Sequence, residues 1–342
     1  MLKPYQIIEN LKLFQNPCTY PLNSVWPPGR RSAVLVLLFI GNRGELRVLL
    51  TKRSRKLRSF SGQVSLPGGK ADSPSETFDS IARREAMEEI GLPMDPTILQ
   101  NKYNMKLELA SSEIPCYMSK TLLSVKPVIY FLYNSDCDIA TSNTQGVSDN
   151  KYSKPLNVIN FFGKLNPGET SSLFSIPIND LIYEDLKQQK YEPEYSSKIS
   201  NNINWGGLIW NVKHFHYPID NHKDVTWLNR MEDLSVSTST SEYEDNMNYI
   251  KQIKYRDVWG LTAKIIADIA AIGNNLDIND SYKRSMGHED LIYGLHDLGH
   301  QFQADGRSKW EKALINNKPG TKYSDVLPET FITQLKKNSL SF

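Results

Sequence analysis

The chain contains little cysteine. Cys18, Cys116 and Cys137 are its three cysteines among 342 residues. They are an odd number at unrelated spacings, whereas a disulfide framework or a zinc site needs paired or regularly spaced cysteines. The sequence therefore argues against both kinds of site, and we interpret the cysteines as isolated thiols of a protein in a reducing compartment.

Long hydrophobic runs are also missing. The longest unbroken apolar run covers residues 33–40, which is too short to cross a bilayer. No positively charged segment followed by an apolar stretch opens the sequence, so we expect neither secretion nor a membrane span. With 39% hydrophobic residues, the composition is that of a globular protein with one large core or two ordinary ones.

The chain has almost no excess of charge of one sign, because 40 Lys and Arg stand against 38 Asp and Glu. The charges are nevertheless unevenly placed: residues 1–70 are mainly basic and residues 71–100 are mainly acidic. A basic segment alone is typical of a solvated face or one that attracts nucleic acid. An anionic ligand bridged to the acidic part by a metal would use both signs. We do not expect a nucleic-acid partner, because the basic residues belong to a narrower pattern just before the acidic part.

The acidic part contains a predicted helix from about Pro74 to Ile90. Ser73 supplies an N-cap, Pro74 occupies the first helical position, and Glu76 at the third position completes a cap. Gly91 supplies the stop. We therefore assign Glu76 to capping.

Three carboxylates lie at the end of this predicted helix. At 100° per residue, Glu88 and Glu89 fall within about 60° of Glu85, with side-chain origins about 5–6 Å apart. Such anions repel one another unless a cation lies among them. Because the preceding turn of the same face is apolar, the carboxylates should open into a cleft, which predicts a divalent-metal site for a phosphate substrate.

This region resembles the signature of the Nudix hydrolases. The matching residues are Gly69, Glu76 and the run Arg84-Glu85-Ala86-Met87-Glu88-Glu89-Ile90-Gly91-Leu92. Compared with the signature, the segment between Gly69 and Glu76 has one extra residue. It lies in the loop before the helix, where an insertion leaves the helical carboxylates in place. The alternative is a surface helix with an accidental acidic end.

The resemblance implies roles for the helix residues. Glu85 and Glu89 are implied as the principal metal ligands, with Glu88 supporting a further metal and Glu89 and Glu88 taking part in catalysis. Carboxylate oxygens with no His or Cys nearby in the sequence favour Mg²⁺ or Mn²⁺ over Zn²⁺. Arg84 either orients a carboxylate such as Glu88, four residues on, or forms a plain surface pair.

The basic loop upstream resembles the coenzyme A-specific motif of one Nudix subfamily. Its matching residues are Leu49, Leu50, Thr51, Arg53, Ser54, Arg58, Gly62, Pro67, Gly68 and Gly69. Only the Phe of the motif departs, because Leu66 stands in its place. Arginines suit phosphate bidentately, and coenzyme A carries a distinguishing 3′-phosphate. The candidate substrate-binding residues are Arg53, Arg58, Gly62, Gly68 and Gly69. Taken alone, a basic solvated loop is the simpler interpretation.

Two later segments extend the resemblance to roughly residues 31–274. Glu169, on a segment similar to a later loop of the family, is a candidate general base or extra ligand, with a plain exposed loop Glu as the alternative. Residues 255–263 resemble the closing helix of the family. The run His214-Phe215-His216-Tyr217 either stacks on adenine or is simply part of a strand.

The resemblance implies an α/β fold, a Nudix-type α/β/α sandwich with a mixed β-sheet. We divide the chain into a lead-in segment (1–30), a Nudix domain (31–274) and a C-terminal extension (275–342). Long polar insertions are expected near 134–154, 183–204 and 235–248, because these stretches are rich in Asn, Ser and Thr.

The implied activity is metal-dependent hydrolysis of the diphosphate of coenzyme A, in its free, disulfide or acyl forms. The products would be 3′,5′-ADP and a 4′-phosphopantetheine species. Two alternatives stay open: a Nudix hydrolase of damaged nucleoside triphosphates or other nucleoside diphosphate derivatives, and a binding module with a degenerate site. The second ranks last, since no helix acid is missing.

Similar coenzyme A diphosphatases of fungi and animals are often peroxisomal, and the resemblance therefore implies a peroxisome, with cytosol or mitochondrion also open. The last residues, 338–342, lack a Ser-Lys-Leu type of signal. The sequence does not indicate an oligomeric state.

Overall fold

A computed structural model describes residues 2–16, 26–138, 150–156, 162–186, 191–228, 234, 255–276, 286–337 and 340–341. The strands are β1 (Arg31–Ile40), β2 (Leu46–Arg53), β3 (Val64–Ser65), β4 (Gly68–Lys70), β5 (Met105–Ser111), β6 (Tyr117–Met118), β7 (Ser124–Asn134), β8 (Thr170–Pro177), β9 (Ser197–Trp205), β10 (Leu208–Pro218), β11 (Tyr255–Trp259) and β12 (Leu340–Ser341). The helices are α1 (Pro4–Leu13), α2 (Phe78–Ile90), α3 (Pro96–Tyr103), α4 (Asn150–Ser153), α5 (Gly260–Gly273), α6 (Glu289–Tyr293), α7 (Lys309–Ile315) and α8 (Glu329–Lys337). Within these ranges, no helix has the length and apolar character needed to cross a membrane.

The larger sheet has eight strands and contains the order β3-β2-β1-β7-β5, with β4 and β8 pairing to β1 and β2. β1 and β7 run parallel, whereas β1 and β2 form an antiparallel hairpin. The sheet is therefore mixed, as expected.

Both faces of this sheet are covered. Alternate residues of a strand point to opposite faces. On β1, Val36 and Leu38 join a core that includes α1 and α5, whereas Leu35 and Leu37 join a second core that includes α2. The prediction of an α/β/α sandwich is therefore confirmed.

A smaller sheet lies after the larger one in sequence. β10 pairs antiparallel with β9 and β11, and parallel with β12. A third apolar core joins β9 and β10 to the C-terminal helices, with Trp205 and Trp210 among its members. The C-terminal extension thus packs on the hairpin of β9 and β10.

The predicted start of α2 is wrong by four residues. The helix begins at Phe78, and Thr77 forms a capping box with Ser80. Arg31 explains the difference. Its guanidinium donates hydrogen bonds to the carbonyls of Ser73, Pro74 and Glu76, at 2.8–3.0 Å. Those carbonyls are then held in a turn before the helix. Glu76 is consequently not a helix cap.

The predicted polar insertions have different outcomes. Residues 197–205, within the stretch 183–204 and just beyond it, form β9, a strand with mostly exposed side chains. The structure thus has a strand there that the sequence does not predict, and the insertion itself stays a prediction. The stretch 134–154 holds the end of β7 and α4 in its described parts, and the stretch 235–248 lies outside the described residues. The division into three segments stays a prediction.

Candidate active site

Gly69 places the Glu85 carboxylate against the main chain. Gly68 and Gly69 lie on β4, which pairs with β1 opposite Val34 and Ala33. A Cβ at Gly69 would collide with the carboxylate of Glu85 on α2. A Cβ at Gly68 would likewise collide with the main chain of β1. The two glycines therefore bring strand and helix together so closely that the carboxylate faces the turn directly.

Glu89 is the most deeply buried acid of the helix end. Its residue is only 5% exposed, and desolvation by burial raises the pKa of its carboxyl to about 8. The nearby charge of Arg53 and a hydrogen bond from the Gly68 N–H oppose this rise, whereas the charges of Glu85 and Glu169 add to it. Its Oε2 makes no hydrogen bond within the described part of the chain. A buried oxygen without a partner is costly, so this atom is suited to accept a cation or a proton.

The pKa of the Glu85 carboxyl is also raised. Burial raises the pKa of Glu85, Arg84 lowers it, and the charges of Glu88 and Glu169 raise it further. The charges of four carboxylates therefore interact at this site, those of Glu85, Glu88, Glu89 and Glu169. A divalent cation is the natural counterion for such a group.

Arg84 holds the acids of the helix in position. Its Nη1 donates to Glu85 Oε1 at 3.0 Å and to Glu88 Oε2 at 3.2 Å. Its Nε donates to Glu76 Oε1 at 2.7 Å, and its Nη2 to the Lys70 carbonyl at 2.8 Å. Burial alone would raise the pKa of Glu76, but Arg84 holds it below its ordinary value. Glu76 is thus the anchor of Arg84, and the guanidinium orients both Glu85 and Glu88.

Glu169 lies on a loop that is tied to both sides of the site. The Asn166 N–H donates to the Glu89 carbonyl at 3.2 Å, and the Ser54 N–H donates to the Glu169 carbonyl at 2.8 Å. The loop therefore connects the end of α2 with the end of β2. This explains why the Glu169 charge acts on both Glu85 and Glu89.

The basic loop begins at the end of β2, beside the acids. Arg53 closes that strand, and its buried Nε makes no hydrogen bond in the described structure. Arg55, Lys56 and Arg58 are exposed on the loop that follows. Gly62 adopts a left-handed φ of 70° where the chain turns back to β3. The loop thus presents cations to solvent at the edge of the acidic site.

The full chain has a long match among characterised proteins. A model of the NUDIX domain matches residues 29–118, which contain the Gly-Gly turn and α2. "Peroxisomal coenzyme A diphosphatase 1, peroxisomal" of Saccharomyces cerevisiae is 49% identical over 345 residues, which is 98% of this chain and 96% of that protein. The chain belongs to the Nudix hydrolase family. Enzymes of this family need divalent metal ions.

Other Nudix hydrolases match shorter parts of the chain. "Nudix hydrolase 15, mitochondrial" of Arabidopsis thaliana is 34% identical over 198 residues, or 58% of this chain and 54% of that protein. The structure of a C. elegans Ap4A hydrolase covers 45% of this chain and 84% of its own, with 17% identity and a TM-score of 0.28. Of the three proteins, only the yeast enzyme aligns over nearly the whole chain.

Within the Nudix fold, the predicted site residues form two groups. The first group surrounds the acids and consists of Gly68, Gly69, Arg84, Glu85, Glu88, Glu89, Glu169 and Arg53. The second group, Arg58 and Gly62, lies on the loop, and no described contact joins it to the acids. Arg53 therefore lies near the carboxylates, whereas Arg58 is exposed on the loop that follows.

Sequence reasoning missed a residue that anchors the Glu169 loop and an exposed aromatic residue of the basic loop. Asn166 anchors the Glu169 loop, and no local pattern marks it. Phe60 is 41% exposed and has a φ of 53°, a left-handed conformation that is uncommon for an aromatic residue. The sequence signal for Phe60 is its position as an aromatic residue in a loop that consists mainly of Ser, Lys and Arg.

Proposed function

We propose that this Nudix hydrolase cleaves the diphosphate of coenzyme A to 3′,5′-ADP and a 4′-phosphopantetheine species. The observation that carries the proposal is the adjacency of an acidic cluster and a basic loop on one β-strand end. Arg53 neighbours Glu89, and three exposed cations follow within the next five residues. The yeast relative, whose name states that it is a coenzyme A diphosphatase, supports the same substrate.

The acidic cluster fits a divalent cation. Glu85, Glu88 and Glu89 would hold it, because Glu89 has a buried Oε2 without a partner among the described residues and Arg84 orients the carboxylates of Glu85 and Glu88. Oxygen ligands favour Mg²⁺ or Mn²⁺. When bound, such a cation neutralises charge that develops on the phosphoryl oxygens and acidifies a coordinated water.

The residues around the cluster supply the remaining chemistry. Glu89 is our first candidate for accepting the proton of the attacking water, because it lies among the other acids and near the charge of Arg53. Glu169 is the second candidate. Arg53 is placed to bind a phosphoryl oxygen, and Arg84 is a positioning residue that fixes the carboxylates.

The exposed loop supplies substrate selection. Arg58, with Arg55 and Lys56 beside it, would bind the 3′-phosphate of the adenosine part, since guanidinium groups bind phosphate bidentately. The exposed ring of Phe60 offers a face on which adenine can stack. Gly62 permits the turn that returns the chain to the Gly-Gly motif.

We also propose a peroxisomal location. The name of the yeast relative, which places that protein in the peroxisome, supports this location. Fluorescence microscopy of the tagged chain against a peroxisomal marker tests it, and a diffuse cytosolic signal would contradict it.

Product analysis tests the activity. The purified chain is incubated with Mg²⁺ and, in parallel, with coenzyme A, its disulfide, dephospho-coenzyme A and nucleoside triphosphates. We expect release of 3′,5′-ADP from coenzyme A in preference to turnover of the others. Turnover of triphosphates alone would contradict the substrate, and coenzyme A binding without turnover at any metal concentration would contradict the activity.

Arg58→Ala tests the selection by the loop. This substitution should raise KM for coenzyme A but leave KM for dephospho-coenzyme A nearly unchanged, because only the former carries the 3′-phosphate. Arg43→Ala is the matched control, since Arg43 lies in the turn before β2, at the other end of that strand. Equal effects of Arg58→Ala on both substrates would contradict the assignment.

A further inference from the structure

A second group of metal-type ligands lies on the smaller sheet, outside the acidic site. His214 and His216 are two residues apart on β10 and therefore share a face. Asp257 on β11 is the direct cross-strand partner of His216, and Trp259 is that of His214. The register of two antiparallel strands thus assembles two imidazoles and a carboxylate.

The contacts within this histidine cluster are short. His214 Nδ1 lies 2.8 Å from Asp257 Oδ2, and His216 Nε2 lies 3.8 Å from Asp257 Oδ1. One ligand atom from each residue can be chosen so that all three lie within 4.8 Å of one another. All three residues are half-buried, so the cluster is accessible to an ion yet shielded from bulk water.

Asp257 has an oxygen that the fold leaves without a hydrogen bond. Its Oδ1 is buried and has no hydrogen-bond partner within the described residues. It faces His216 Nε2 at a distance that is too long for a hydrogen bond. An unpartnered buried carboxylate oxygen costs free energy, and a cation between Oδ1 and Nε2 would remove that cost.

Neighbouring side chains fix the two rings. His216 Nδ1 lies 2.8 Å from Ser197 Oγ. When Nδ1 donates to that hydroxyl, Nε2 carries the lone pair and is free to bind a metal, as is usual for ligating histidines. His214 stacks on Trp259, with ring centroids 5.1 Å apart and an interplanar angle of 5°. The imidazoles are therefore held in place before any ion binds.

We propose that His214, His216 and Asp257 bind one Zn²⁺ ion or a similar transition-metal cation. Zn²⁺ takes His nitrogens and carboxylate oxygens at about 2.0–2.2 Å, in tetrahedral geometry. One ligand atom from each residue already lies within 4.8 Å of the other two. In the tautomer of His214 that donates from Nδ1 to Asp257, the ring proton moves to Nε2 when Nδ1 binds the metal, so no other group has to change its protonation.

The ligand set separates this cluster from the acidic site. Imidazole suits zinc, copper and nickel, whereas carboxylate sites suit Mg²⁺ and Mn²⁺. Three protein ligands leave a fourth position for water or an anion.

The ion would join β10 to β11, which are separated in sequence by residues 219–254. β11 continues into α5, whose Thr262 Oγ1 lies 3.5 Å from the Val64 carbonyl of β3.

The test is Zn²⁺ binding to the full-length chain without an affinity tag. Mg²⁺ at millimolar concentration is present throughout to occupy the acidic site, and Zn²⁺ is titrated in competition with a chromophoric chelator. His214→Gln, His216→Gln and Asp257→Asn are compared with His222→Gln, which removes an exposed histidine from the loop after β10. Circular dichroism and thermal unfolding of each variant report that it is folded.

We expect one Zn²⁺ per chain, roughly tenfold or more weaker binding in each cluster variant, and no change in His222→Gln. X-ray absorption of the zinc-loaded chain should show two imidazole ligands. Unchanged Zn²⁺ affinity in His216→Gln would overturn the proposal. So would loss of the same Zn²⁺ binding in Glu85→Gln, which would assign the ion to the acidic site. A raised KM for coenzyme A in folded His214→Gln, without any change in Zn²⁺ binding, would indicate adenine stacking instead.

Discussion

The Glu85 carboxylate lies so close to Gly69 that a side chain at position 69 would collide with it. Gly69→Ala should therefore displace the carboxylate without removing it. A displacement of about 1 Å within a catalytic site can cost roughly 100-fold in rate. We expect a loss of that order in kcat/KM for coenzyme A, together with weaker Mg²⁺ activation, measured by steady-state kinetics.

Gly306→Ala is the control for this substitution. A Cβ at Gly306 would meet no atom within 4 Å, and the φ of this glycine is not in the left-handed region. The variant should retain full activity and an unchanged Tm. Equal activity of Gly69→Ala and the parent chain would show that the close approach has no role in catalysis.

Arg84→Lys should separate charge from geometry. Lysine retains the positive charge but cannot donate to Glu76, Glu85 and the Lys70 carbonyl in one plane. Because residues that orient metal ligands typically contribute roughly 10–100-fold to metal affinity or activity, we expect the Mg²⁺ concentration for half-maximal rate to rise by such a factor.

Arg83→Lys is the neighbouring control. Arg83 contacts the carbonyls of Pro93 and Met94, at 2.6 and 3.2 Å, and none of the acids. The Arg83→Lys substitution should lower the Tm while leaving the Mg²⁺ requirement unchanged. An unchanged Mg²⁺ requirement in Arg84→Lys as well would contradict the positioning role.

The sequence predicts the parts of the site that depend on local pattern. The acidic end of α2 follows from helical spacing, and the hairpin of β1 and β2 follows from two apolar runs around a turn. The start of α2 could not be predicted, because Arg31, more than 40 residues earlier, binds the carbonyls that Ser73 and Pro74 would otherwise offer to the helix.

Other features depend on strand register, which the sequence does not display. β9 has exposed polar side chains along most of its length, so it lacks the alternation that marks a half-buried strand. Its backbone pairing with β10 forms it nonetheless. In the same way, only the pairing of β10 with β11 shows that His216 lies opposite Asp257.

Phe60→Ala tests whether the exposed ring contributes to substrate binding. Loss of base stacking on an aromatic ring typically costs about 1–3 kcal/mol, so KM for coenzyme A should rise while kcat changes little. Phe60→Tyr should restore binding, because the ring face is kept. Because Phe60 is exposed, the Tm should change little, and an unchanged KM in Phe60→Ala would exclude stacking.

The stability of the metal-free protein should fall as the pH rises. Burial raises the pKa of Glu89 from 4.5 to about 8, so the folded chain retains a proton there that the unfolded chain has already lost. The contribution of this carboxyl to the free energy of unfolding is at its largest below pH 4.5 and declines until about pH 8. At about 1.36 kcal/mol per unit, the decline is on the order of 5 kcal/mol.

Glu89→Gln isolates this effect from other buried acids, such as Asp180, whose pKa burial raises to about 7. Thermal unfolding in EDTA at pH 5 and at pH 8 should show a smaller loss of Tm for Glu89→Gln than for the parent chain, because glutamine has no proton to lose. Mg²⁺ should reduce the loss in the parent chain alone, since a cation stabilises the ionised carboxylate. Parallel Tm curves for the two proteins in EDTA would contradict the raised pKa of Glu89 in the folded chain.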